Sequence, residues 1–249
     1  MKYHPRPAAV FTLAALMPAL GAAAQDEPPQ SVSLAEAFFI QRNGHTGGVE
    51  VFGSLLIWVL IAASAVSIAL IVLRWRENTH DEIHSESAVD DCAGLLREGA
   101  LDRAVQRARQ DHSDLGTMLA AALTELPAGT EHALRALDQS ADDLAAGRLR
   151  RIEPLNIIGG VAPMLGLFGT VYGMILAFRE IVAAGGAPDP VGLAAGIGTA
   201  LTTTFWGLVV AIPALIGFGV LRNAIDSHIA GAESAAEDLI AQYDPGPKP

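Results

Sequence analysis

Three long stretches of this 249-residue chain contain no charged side chain: Val51 to Leu73, Leu155 to Phe178 and Pro190 to Leu221. They run to about 23, 24 and 32 residues, or about 35, 36 and 48 Å of helix, against a hydrocarbon core of about 30 Å. Each is long enough to cross a membrane. Cysteine is nearly absent: Cys92 stands alone, which excludes an intrachain disulfide and fits a structural thiol in a reducing compartment. Basic residues are few and form no long run, 16 Lys and Arg against 27 Asp and Glu for a formal charge of -11, so a nucleic-acid partner is excluded. There is no phosphate-binding Gly-Lys-Ser/Thr loop, no nucleophile elbow and no carboxylate pair framed by an apolar pocket, which leaves no enzyme and no cofactor to predict. His80-Asp81-Glu82-Ile83-His84 puts two imidazoles four apart, but Asp81 stands where a metalloprotease needs Glu and no third ligand follows. The pair reads as a solvated face, not a metal site.

What is present is apolar helix interrupted by charged helix, with 51% hydrophobic residues and a mean hydropathy of +0.36. The expected fold is an all-α membrane protein of three transmembrane helices with long helical extensions. Residues 1–24 carry Lys2, Arg6, an apolar core and a small-residue end at Gly21-Ala22-Ala23-Ala24, the pattern of a cleavable signal, with an uncleaved anchor as the alternative. Residues 25–50 form an outer segment in which Ser33 and Glu36 make a capping box for a short interfacial helix. Spans follow at 51–73, 155–178 and 191–221, the last with its excess taken up by tilt, a loop start near Pro190 and projection beyond the bilayer. Pro163 and Pro213 are expected to bend their helices, as is Pro154.

Arg74, Arg76, Arg148, Arg150, Arg151 and Arg222 flank one side of the spans, Arg42 and Arg179 the other. The positive-inside rule makes the first group cytoplasmic, so the amino terminus is outside, 74–154 is a cytoplasmic helical domain, 179–190 an outer loop and 222–249 a cytoplasmic tail. In the domain and tail, apolar residues at three-four spacing (Leu134, Leu137, Ala141; Ile225, Ile229, Ala232) predict helices continuous with the spans.

Two spans have an unusual grain. Gly166, Thr170, Gly173 and Ala177 share a face of the second, with Gly169 on its edge; Thr199, Thr203, Gly207 and Ala211 share a face of the third, with Thr204 beside them. Small faces let helices approach closely in lipid, and a threonine hydroxyl there either bonds its own backbone or faces a polar path. Both readings stand on the residues alone. Threonine cannot take up and release a proton near neutral pH, so if ions cross, the titrating group comes from another chain.

Val161-Ala162-Pro163, Leu167-Phe168-Gly169-Thr170-Val171-Tyr172-Gly173, Ala200-Leu201 through Thr204 and Gly207-Leu208-Val209-Val210-Ala211-Ile212-Pro213-Ala214 together resemble the MotA/TolQ/ExbB proton-channel family, nearest its ExbB and TolQ branch. The resemblance implies a homopentamer in the inner membrane around a dimer of a single-span ExbD/TolR-like protein. That partner supplies a membrane Asp, and a TonB-like or TolA-like protein acts beyond it. It implies pore-lining roles for Thr170 and Thr204, with Thr199 and Thr203 as secondary hydration sites and the Gly and Ala faces in helix and subunit packing. The branch commonly has Glu at the position matching Thr199, so a proton-handling role does not carry over there, and H⁺ and Na⁺ both stay open. The alternative is a non-conducting scaffold or signalling subunit that uses the small faces for assembly alone.

Overall fold

The computed structural model describes residues 38–40, 50–78, 86–187 and 190–243. The expected signal sequence, the Ser33/Glu36 capping box and the His80/His84 pair therefore lie outside the described residues. Among the described residues every regular element is helical, and three helices are long and apolar enough to cross a membrane.

The first of these, α1 (Val51–Glu77), is uncharged until Arg74 and Arg76 in its last turn, where cations suit the negative end of the helix dipole. Glu50 caps its start, the carboxylate accepting from the Gly53 N–H. Asn78 closes its end by donating from both backbone and side chain to the Arg74 carbonyl.

Three short helices follow: α2 (Glu86–Arg97), α3 (Leu101–Gln110) and α4 (Asp114–Glu125). The turn between α2 and α3 is built on Gly99, whose φ of 73° lets its N–H reach Leu96 while the Ala100 N–H reaches Leu95. Ser113 caps α4 through the Gly116 N–H at 3.0 Å. A one-turn 3-10 piece, Leu126–Ala128, ends at Gly129 and leads into α5.

Helix α5 (Thr130–Ala183) and helix α6 (Pro190–Gln242) have 54 and 53 residues, about 80 Å each. Both continue without a break through their prolines, Pro154 and Pro163 in α5 and Pro213 in α6. Gly185 and Gly186, both at positive φ, terminate α5 by the same pair of bonds seen after α2, and Pro190 is itself the first residue of α6. The chain thus returns at once, and α6 runs antiparallel along the whole of α5. Two apolar cores result. One joins Ile57 and Leu60 of α1 to Ala162, Trp206 and Val210 within the uncharged stretches. The other, in the helical body outside them, packs Leu115, Met118, Leu119 and Leu123 of α4 against residues such as Leu137 of α5 and Ile229 of α6.

Candidate functional site

The uncharged halves of α5 and α6 meet along a seam of small residues. A Cβ added to Gly173 would stand 2.6 Å from the Ala200 nitrogen and 2.6 Å from the Gly196 oxygen, so only hydrogen fits between these backbones. About two turns along, a Cβ on Gly207 would stand 2.8 Å from the Ala162 oxygen and 3.1 Å from the Gly166 Cα. Gly169 receives the side chain of Thr203, and Ala211 is buried further down the same face. The seam forms within one chain, because the short turn after α5 brings the two small faces together.

The four threonines divide along this seam. Thr199 and Thr203 are sealed inside it at 2% and 0% exposure, their hydroxyls donating at 3.0 Å to the carbonyls of Ala195 and Thr199. Thr170 and Thr204 are only partly covered. The Thr170 hydroxyl donates to the Leu167 carbonyl at 2.6 Å, whereas that of Thr204 crosses to α5 and donates to the Gly166 carbonyl at 3.2 Å. Since Gly166 is one helical turn before Thr170, the two hydroxyls follow each other along one flank of the hairpin. Each has its proton engaged and keeps lone pairs to offer a water or a cation.

Sequence reading missed Glu50, which it left in the outer segment. Its carboxylate is 8% exposed and, besides capping α1, accepts a 2.5 Å hydrogen bond from the hydroxyl of Tyr172 on α5. Phe52 packs on the same tyrosine, the rings tilted by 56° with centroids 4.6 Å apart. The available signal was a lone acid directly before an uncharged run, at the N-cap position; Glu is not a favoured cap, so spacing alone did not select it. Ahead of Glu50 in the chain, the Phe38 carbonyl accepts from the indole N–H of Trp206 at 2.9 Å, and Phe39 packs on the Trp206 ring.

At the other end of α1, Arg148 of α5 donates to Asp114 at 2.5 Å, to the Glu77 carbonyl at 2.8 Å and to the Asn78 side chain at 2.9 Å. Further out, the carboxylates of Asp138, Glu233 and Glu237 approach within 4.8 Å of one another. Burial, followed by repulsion from Asp138, Glu237 and Asp142, raises the Glu233 pKa above the usual carboxylate range. Burial likewise pushes the Cys92 thiol up, which makes it less reactive.

A family model described as the MotA/TolQ/ExbB proton channel family matches residues 110–234, which include the seam, all four threonines and Arg148. Among curated proteins, the chain is 42% identical over 79 residues to "Biopolymer transport protein exbB1" of Vibrio cholerae, covering 32% of this chain and 35% of that one. It is 33% identical over 140 residues to "Biopolymer transport protein ExbB" of Xanthomonas campestris, 56% of this chain and 54% of that one. A "Putative biopolymer transport protein ExbB-like 1" of Synechocystis is 38% identical over 112 residues, 44% of each. The chain thus spans about a third to a half of the length of these relatives.

Proposed function

The chain belongs to the MotA/TolQ/ExbB proton channel family, and on that premise we propose that it is the ion-channel subunit of an inner-membrane motor that couples an ion-motive force to work at the cell envelope. The family is one of channels, not of enzymes. In this reading five copies surround a dimer of a single-span ExbD/TolR-like partner, whose membrane Asp takes up and releases the ion, and a TonB-like or TolA-like protein transmits the work. The basic residues at the ends of the spans orient the α5–α6 turn outward and the helical body toward the cytoplasm.

The observation that carries the proposal is the flank holding Thr170 and Thr204. Along the charge-free stretches of α5 and α6 it presents two hydroxyl oxygens whose protons are spent on the carbonyls of Leu167 and Gly166, leaving lone pairs that can accept from whatever occupies that side. Acceptors without free donors suit a hydrated proton or Na⁺ better than an anion. Thr199 and Thr203, buried in the seam, support the flank by fixing the distance between the helices. The exposed apolar faces of α5 and α6, with Leu167, Val171, Leu201 and Leu208, are left for lipid, for neighbouring copies and for the partner.

Thr170→Ala and Thr204→Ala test the pore role in the assembled complex with its partner. Each is expected to leave assembly intact and lower ion-motive-force-dependent activity at least tenfold, of the order of the transition-state loss from one misplaced polar group. If both variants assemble and keep full activity, the hydroxyls serve packing only. That second reading, a non-conducting scaffold, draws on the same Thr204–Gly166 bond, because a hydroxyl that crosses between helices is also a packing device.

A further inference from the structure

Helix α1 packs closely on α5 and α6 in its first half, through Ile57 and Leu60, and beyond that mainly where Ile71 lies against Gly217 of α6. From Ile61 to Glu77 its only buried residue is Ser67, and Val66, Ile68, Val72 and Leu73 are exposed. Apolar burial drives helices together in water, but lipid tails are as apolar as valine, so in a bilayer this second half of α1 gains only van der Waals contact from lying on α5 and α6. The polar contacts that add to this packing are concentrated at the two ends of α1. At the start, Glu50 accepts from Tyr172 at 2.5 Å; at the end, Arg148 donates to the Glu77 carbonyl and Asn78 at 2.8 and 2.9 Å while held by Asp114 at 2.5 Å. Both staples land on α5.

The charges also match the helix they hold. An acid sits at the positive end of the α1 dipole and a guanidinium at its negative end, where the last carbonyls lack intrahelical donors. Tyr172 and Arg148 lie 24 residues apart on α5, about 36 Å, which brackets a hydrocarbon core of about 30 Å and puts one staple near each membrane face. There each charged group leaves the bilayer centre, where ionic groups are costly, while the surrounding helices still shield its hydrogen bonds.

We propose that Glu50, through Tyr172, and Arg148, through Glu77 and Asn78, are positioning residues that pin α1 to α5 at opposite membrane faces and make α1, α5 and α6 one rigid unit. Resting on the channel reading above, this means that movement during ion flow occurs between subunits and not between α1 and the pore helices within one subunit.

The test uses the full chain, with Cys92 replaced by Ala and spin labels at introduced cysteines, reconstituted with excess unlabelled subunit in lipid nanodiscs. One pair, Leu55 with Leu167, reports the outer end, and another, Leu73 with Ile157, reports the inner end; all four residues are exposed. Tyr172→Phe is expected to raise the long-distance, detached population of the outer pair roughly tenfold, the change that loss of one charge-assisted hydrogen bond supports, while the inner pair stays unchanged. Arg148→Gln is expected to do the reverse. Glu50→Gln, which keeps an acceptor for Tyr172 but loses the charge, falls between wild type and Tyr172→Phe at the outer pair. The proposal is overturned if neither variant moves its own pair, or if each moves both pairs equally, as general loosening would. These distances do not depend on whether the assembly conducts ions, so a failure here leaves the channel reading to its own test.

Discussion

The same two helices, α5 and α6, solve two packing problems along their length. In their uncharged halves they approach backbone to backbone, with Gly173 against Gly196 and Ala200, and Gly207 against Ala162 and Gly166. In the helical body they are held apart by Leu137, Ile152, Ile225 and Ile229, and α4 fills in from the side with Leu119 and Leu123. The difference follows from the solvent. Water drives large aliphatic side chains together, whereas in lipid the gain comes from close contact and hydrogen bonds, which small residues permit. A pair of continuous rods therefore changes from a glycine seam to an aliphatic core where it leaves the membrane.

The sharpest way to break this contrast is to give the seam a side chain. Gly173→Leu places a Cβ 2.6 Å from two backbone atoms of α6 that cannot yield separately, so the helices must part. A loss at or above the roughly 3 kcal/mol upper range of overpacking is expected, seen as loss of the monodisperse peak in detergent chromatography. Gly160→Leu, in the same helix with nothing within 4 Å, should behave as wild type. An equal effect at both glycines would mean that the seam is not what holds the hairpin.

The matching change in the helical body is a deletion. Leu119→Ala empties part of a fully buried site and should cost about 2–5 kcal/mol in a thermal melt, the range for buried Leu→Ala. Ranked next is Asp114→Asn, which removes the carboxylate facing Arg148 where both side chains are mostly covered, 11% and 14% exposed. A cost of about 1–3 kcal/mol is expected, and it should shrink when Arg148 is already Gln, as a double-mutant cycle would measure.

The smallest effect concerns Glu233, whose pKa is raised by burial and then by Asp138, Glu237 and Asp142. A carboxyl raised in the folded state adds stability below its ordinary range and loses it as pH climbs through the raised value. Wild type should therefore melt at a slightly lower temperature at neutral pH than just above the ordinary carboxylate range, and Glu233→Gln should flatten that dependence. A steeper fall in the variant would show that the neighbouring acids do not act on this group.

Much of the architecture is legible in the sequence. Charge-free length marked three helices able to cross a membrane, three-four spacing carried two of them into the helical body, and the threonine- and glycine-bearing motifs pointed to the family. These signals are local or periodic, and a helix satisfies its own backbone, so the chain declares it without reference to a partner element. The position of Glu50 was not readable in this way. It is separated from Tyr172 by 122 residues, and nothing in either neighbourhood names the other.

The sequence by itself thus determined which segments are helical, which can enter a membrane and which faces are small, because composition and periodicity act within one segment. Only the tertiary structure decided where those faces go. It closed the Gly and Ala faces on each other within one chain, buried Thr199 and Thr203 while leaving Thr170 and Thr204 at the surface, and tied α1 to α5 through Glu50 and Arg148. Three and four residues of spacing place all four threonines near one side of their helices; which of them is covered depends on the antiparallel register of α5 and α6, and that register is set by the close fit of one helix on the other.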